Sequence, residues 1–402
     1  METEDEWAAR AAELLPTGAS TGSKRPEALY GTVEPAGPTH FTQAIGCRVE
    51  TTDGDELVDC TMALGAVAIG YGEPKIMRGV LDVVAQGMVS GLSHVLEVEV
   101  AERFCNVVPC AERVQFLKTG AEAMSAAVRV ARAYTGRSVV IGSGYFGWHD
   151  WCSNQPGVPD GVRRDFRAVP FDDIAALEAA VGDAGNQLAA IAIEPVVERM
   201  ASPEWIARAR ALCDASGAAL IFDEMKTGFR LSTGGYQQMS GVTPDLAAFG
   251  KALANGFPLA AVCGRAELMD GLKKTWISST LASEGASLAA ANGVLDWHEG
   301  GDVCEELARI GGEMRDRVSG ALKTSGLTGI SLHGIDPMWF MKFEEPEMEQ
   351  RFISLAAEHG ALFKRGAYNF AALAHDDDAL VDIEAAASNA FVALRQEQEA
   401  VE

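Results

Sequence analysis

Six short apolar runs between residues 114 and 264, VQFL, VVIG, LAAIAI, ALIF, LAAF and LAAVCG, constrain the fold more than any other feature of the chain. Near-continuous apolar runs of this length read as strands buried on both faces. Helical patterns fill gaps near 121–135, 172–182 and 203–216. Strands alternating with helices make a mainly parallel sheet covered on both sides, so the expected fold class is α/β. At 402 residues the chain exceeds what one core usually serves. We expect an N-terminal arm and small-lobe segment over 1–70, a large domain over 71–300 and a C-terminal small domain over 301–402, with the smaller α+β lobe drawn from both chain ends.

In such sheets ligands gather beyond the carboxyl ends of the strands, so the polar residues that follow the apolar runs are the candidates. Lys251 stands between two runs, in DLAAFGKALANGFPLAAVCG, where a buried ammonium must be paired or neutralised. Condensation with an aldehyde is one way out, and snorkelling to the surface from a loop is the other. Asp223 closes ALIF and calls for a cationic partner; a protonated pyridine nitrogen, Arg230 or a helix terminus would each serve. Glu194 and Glu224 fall at the same strand ends.

After VQFL, Thr119-Gly120-Ala121 leads into an alanine-rich helix whose first N–H groups and dipole suit a phosphate, and equally describe an ordinary helix start. Tyr145, Phe146 and Trp148 beside His149 offer a stacking surface or a core cluster. Thr280, in a hydroxyl-rich stretch before a helix, reads first as a cap and second as a phosphate donor. Lys24 beside Arg25, and Arg365 in the polar island of Lys364, Tyr368 and Asn369, face either an anionic substrate or solvent. MALGAVAIGYG, over 62–72, has too much glycine for a helix interior and too little polarity for an exposed loop.

Composition narrows the class. A formal charge of −24 without a clustered Lys/Arg run argues against a nucleic-acid surface. Eight scattered cysteines lack a CxxC pair or zinc-like spacing, so reduced thiols and no metal are expected. The acidic, amphipathic N-terminus is unlike a secretory signal, and no run of about 18 apolar residues occurs, so we expect a cytoplasmic protein without a membrane span.

Taken together, GAEA at 120–123, Tyr145 with Gly147, EPV at 194–196, DEMKTGFR at 223–230, FGKALANGFPLAAVCG around Lys251 and STLASEG at 279–285 resemble the class III aminotransferases of the fold-type I pyridoxal 5'-phosphate (PLP) enzymes. Within that class the chain is most similar to the glutamate-1-semialdehyde aminomutase subgroup. The resemblance spans essentially the whole chain and implies PLP as cofactor. It implies that Lys251 condenses with the cofactor's aldehyde and later shuttles the substrate proton, while Asp223 keeps the pyridine nitrogen protonated. Gly120 and Ala121 match the phosphate cup, Tyr145 the aromatic over the ring, and Glu194 the acid near the ring hydroxyl. Thr280 resembles the threonine that reaches the phosphate of the neighbouring subunit, which implies a homodimer with shared active sites.

Several positions depart from the resemblance. Ala121 stands where relatives often carry Ser or Thr, Phe146 where histidine is usual, Lys226 inside a DEVMTGFR-like run, and Glu284-Gly285 where the aminomutase has Gly-Asn. KRGAYNFAALAHDD lacks the glutamate of the aminomutase's terminal pattern, whereas Arg365 sits where many class III enzymes receive a donor carboxylate. The expectation is therefore intermolecular transfer from an amino acid such as glutamate to a ketone or aldehyde of specialised metabolism. A 1,2-aminomutase, a PLP-dependent epimerase and a non-catalytic fold relative are the alternatives.

Overall fold

The structure is a computed structural model that describes residues 3–34 and 36–400. Two compact units are present, one spanning Pro74–Cys304 and the other combining the described residues up to Glu73 with those from Glu305 onward.

The first unit is built on seven strands: β1 (Arg113–Leu117), β2 (Val139–Ser143), β3 (Phe166–Ala168), β4 (Leu188–Ile193), β5 (Ala219–Asp223), β6 (Leu246–Phe249) and β7 (Ala260–Gly264). Their spatial order is β1-β7-β6-β5-β4-β2-β3. Only β7 runs against its neighbours, pairing Ala247 with Cys263 on β6 and Phe116 with Ala261 on β1. The pairs β5–β6 and β4–β5 are parallel, with Ile221 opposite Leu246 and Phe222 opposite Ile193. Every residue of β4, β5, β6 and β7 is buried, which is why their sequences run apolar without alternation. The architecture is the α/β fold that the alternation of strand and helix patterns leads one to expect.

Four helices of this unit matter below: α1 (Pro74–Gln86), α2 (Val95–Val107), α3 (Gly120–Thr135) and α4 (Gly285–Gly300). Small residues let α3 lie close on the sheet, where Ala123, Ala127 and Val130 join Ile221, Leu246 and Val262 in one core. One expectation fails locally. Read as one strand over 218–230, from Ala218 through ALIF and the polar residues to Arg230, the run would be too long: the strand stops at Asp223, because the next residues turn away to wrap their backbone around the Glu224 side chain. Since β1, β2, β4, β5 and β6 point the same way, the segments that follow them meet at one edge of the sheet.

The second unit holds a four-stranded sheet (Phe41–Ile45, Arg48–Thr51, Glu56–Asp59, Ala361–Leu362) and a three-stranded one (Ile330–Ile335, Met338–Phe343, Asn369–Phe370). Helices Pro346–Glu358 and Asp377–Glu399 pack together with Phe352 stacked on Phe391 at 4.6 Å. The glycine-rich stretch after Thr61 forms a left-handed turn, with φ of 42°, 50° and 60° at Met62, Ala63 and Leu64. Asp59 holds it, accepting hydrogen bonds from Thr61 N (2.7 Å), Met62 N (3.1 Å) and the Tyr71 hydroxyl (2.6 Å). All eight cysteines are free. Among the described residues no helix is long and apolar enough to cross a membrane.

Candidate active site

Four charged side chains converge where β4, β5 and β6 end. Asp223 terminates β5, Glu194 follows β4, Lys226 lies three residues beyond Asp223, and Lys251 follows β6 after Gly250. Lys251 takes up a left-handed backbone, φ 49°, at the start of the short turn Lys251–Ala254. Such a conformation costs a non-glycine residue roughly 1–2 kcal/mol and concentrates where geometry serves function. Burial lowers the Lys251 ammonium to about 8, helped by the positive charge of Lys226 and opposed by Asp223 and Glu194.

Asp223 is buried and accepts one hydrogen bond, from Met225 N at 3.0 Å. Burial, followed by the charge of Glu194, raises its carboxyl to about 7 against the pull of Met225 N, Lys251 and Lys226. It is thus a buried acid with spare acceptor capacity. Glu194 is engaged on both oxygens: Lys226 Nζ lies 2.7 Å from Oε1, and Tyr145 N donates to Oε2 at 3.0 Å. Tyr145 itself projects outward, 72% exposed.

Glu224 is a different case from its neighbour. Fully buried, it accepts from the Thr227 hydroxyl, Tyr236 N (2.8 Å) and Gln237 N (3.0 Å), so its position at the strand end is structural. Glu224→Ala strands two buried backbone donors, each costing about 1–3 kcal/mol. Chemical denaturation should show a loss of roughly 3 kcal/mol.

Helix α3 begins beside this cluster. Thr119 caps it, taking a hydrogen bond from Glu122 N at 3.2 Å, while Glu122 receives Thr119 N at 2.9 Å. Side chains are excluded here by crowding: a Cβ on Gly120 or Gly250 would lie 2.8 or 2.7 Å from the Met225 sulfur. The loop after β2 crosses the start of α3 so closely that a Cβ on Gly147 would come within 2.5 Å of the Ala121 Cβ. Gly120, Ala121, Tyr145, Glu194, Asp223 and Lys251 therefore belong to one edge of one unit.

Other candidates are placed differently. Of the two readings for Phe146, stacking surface or core cluster, the structure shows the second: it turns into the core against Trp151 and Phe166. Thr280 lies on an exposed turn and does not cap α4. Glu284 does, accepting Ala286 N at 2.7 Å and Ser287 N at 3.1 Å, with Lys118 Nζ 2.7 Å away. The helix-cap reading of Thr280 is thereby corrected, because a carboxylate three residues before Ser287 satisfies the first turn more fully than a hydroxyl further upstream. Lys24 and Arg365 belong to the other unit. Lys24 is exposed at the end of the turn Gly22–Lys24, and Arg365 donates to the Glu27 carbonyl at 3.0 Å and lies 3.7 Å from Glu349. Lys226 was visible in the sequence only as an odd residue; its pairing with Glu194 has no local signature.

Comparison with known proteins agrees with this architecture. The family model for class-III aminotransferases matches residues 32–147 and 154–374. The 3-aminobutyryl-CoA aminotransferase of Cloacimonas acidaminovorans (strain Evry) is 32% identical over 346 residues, covering 84% of this chain and 82% of that protein. Among solved structures, the FumI protein of Sphingopyxis sp. MTA144, in its PLP internal aldimine form, superposes with a TM-score of 0.94 at 24% identity over 98% of this chain and 97% of its own. An omega-transaminase from Sphaerobacter thermophilus gives 0.88 at 23% identity, covering 99% and 98%. With its fold, the edge on which its charged residues meet and a family match over most of its length, the chain belongs to the class-III aminotransferases.

Proposed function

We propose that the edge formed by β4, β5, β6 and α3 holds PLP and that the enzyme moves an amino group from an amino acid, glutamate being the first candidate, to a 3-oxoacyl acceptor. The observation that carries this reading is the convergence of Lys251 and the buried Asp223 beside the first turn of α3. The donor set fits the cofactor: an amine for its aldehyde, a buried carboxylate with spare capacity for its ring nitrogen, and the N–H groups of Gly120 and Ala121 for its phosphate. Gly120 and Gly250 let the start of α3 and the Lys251 turn close on Met225. Tyr145 would cover the ring, and Glu194 would stand near its hydroxyl.

Bound there, PLP supplies the electron sink that makes loss of a substrate proton feasible. Lys251, neutral more readily than an ordinary lysine, would hold the cofactor through its amine and would serve as the base that moves the substrate proton. Asp223 would balance the positive ring nitrogen. For the acceptor, the 32% identical relative is named for a substrate whose amine lies on the β carbon of an acyl thioester. Intermolecular transfer is preferred to the aminomutase reading because that relative is an aminotransferase. Amino acids offered singly to the PLP form should convert it to pyridoxamine phosphate, seen as loss of visible absorbance. If no common amino acid does so, the reading is wrong.

The same reading includes a homodimer in which Thr280 of one subunit reaches the cofactor phosphate of the other. What supports it is an apolar strip on α1, α2 and their connection, where Leu81, Val84, Leu92, Val95 and Val98 are all exposed, Leu92 by 85%. Light scattering should give twice the 42.6 kDa chain mass. Leu92→Arg with Val95→Arg should return the particle to a single chain.

A further inference from the structure

Two carboxylates buried side by side do not both stay ionised; unless a cation intervenes, they share a proton. Asp223 and Glu194 are such a pair: Asp223 ends β5, Glu194 directly follows the adjacent parallel strand β4, whose Ile193 stands opposite Phe222, and Glu194 is the foremost charge acting to protonate Asp223. Lys226 supplies the missing cation. Its Nζ is 2.7 Å from Glu194 Oε1, with only 13% and 11% of the two side chains exposed. The other Glu194 oxygen is tied to Tyr145 N at 3.0 Å, an approach that requires glycine at 144, where φ is 134° and a Cβ would lie 2.4 Å from that of Glu194. Glu194 is therefore held by two partners and cannot swing away from Asp223.

We propose that Lys226 is a positioning residue of this site: clamped on Glu194, it cancels the negative charge that Glu194 would otherwise turn on Asp223, and so leaves Asp223 as the carboxylate free to pair with the cofactor's ring nitrogen. The inference rests on the PLP reading above. The charges that act on Asp223 are those of Glu194, Lys251 and Lys226, and Arg230 acts in turn on Lys251. Glu224, next in sequence, is enclosed by its own hydrogen bonds to Thr227, Tyr236 and Gln237. A neutral residue at 226 would leave this site one positive charge poorer, with Glu194 still in place.

The test is PLP affinity measured by equilibrium dialysis as a function of pH. Wild-type affinity should fall on the acid side, where a cationic ring must displace a proton from Asp223. In Lys226→Met that fall should begin about one pH unit higher, with affinity at neutral pH weaker by about tenfold, the equivalent of one pKa unit. Lys226→Arg should behave as wild type. The double variant Lys226→Met with Glu194→Gln removes both charges and should return the profile to the wild-type position. Glu194→Gln alone should move the fall to lower pH, and this variant keeps the test decisive if Lys226→Met does not fold. An unshifted profile in Lys226→Met, or in Glu194→Gln, overturns the proposal, as does a double variant as weak as Lys226→Met, which would mean that Lys226 touches the cofactor itself. A wild-type protein that binds no PLP defeats the functional reading and this inference together, whereas normal binding with unshifted variants defeats this inference alone.

Discussion

Lys251→Ala is expected to abolish amino transfer, with turnover falling by roughly 10⁴-fold or more, the upper range for removal of a general acid–base group, because the covalent anchor is lost with it. Two proposed roles would disappear at once: the amine that would condense with the aldehyde, and the base that would carry the substrate proton. The anchor is read directly. Borohydride treatment of the wild type should fix the cofactor on one peptide containing Lys251, with the corresponding mass gain, and the alanine variant should show none. A cofactor fixed elsewhere in the variant would remove Lys251 from its proposed place. The pH dependence has a definite sign. Only the neutral amine attacks an aldehyde, and burial together with Lys226 lowers the ammonium to about 8. The rate of PLP capture by cofactor-free protein should therefore rise with pH and level off near 8, well below the range of an exposed lysine at about 10.4.

What could be seen in the sequence and what could not divides along a physical line. The strands of the sheet were legible because burial on both faces leaves an uninterrupted apolar signature, as in LAAIAI and ALIF. Lys251 and Asp223 stood out for the same reason, each being a charge set against such a run. Asp223 and Glu224, however, are adjacent and chemically alike. Only the fold separates the one with spare acceptor capacity from the one enclosed by Thr227, Tyr236 and Gln237. The Lys226–Glu194 pair is likewise a product of strand order, since β4 and β5 bring together residues far apart in sequence. Phe146 shows the limit of a motif: its neighbour Tyr145 faces out while Phe146 fills the core, an alternation that the run SGYFGWHD does not announce.

Asp223→Asn is expected to produce the second large effect. The substitution keeps shape and the bond from Met225 N but removes the charge that would balance a cationic ring nitrogen. Breaking a buried ion pair by removing one partner costs about 3–5 kcal/mol, and at 1.36 kcal/mol per decade this corresponds to a loss of roughly 10²–10⁴ in turnover. Asp223→Glu, which keeps the charge but displaces it, should fall between the two. The sign of the pH dependence separates an electrostatic role from a packing one. Burial and the charge of Glu194 raise Asp223 to about 7, so the ionised form fades as pH falls through that value. Wild-type PLP affinity should weaken below about 7, whereas Asp223→Asn, having no proton to lose, should be weak and show no such fall. An asparagine variant that retained both the affinity and the acid-side fall would leave the ring nitrogen without its proposed partner.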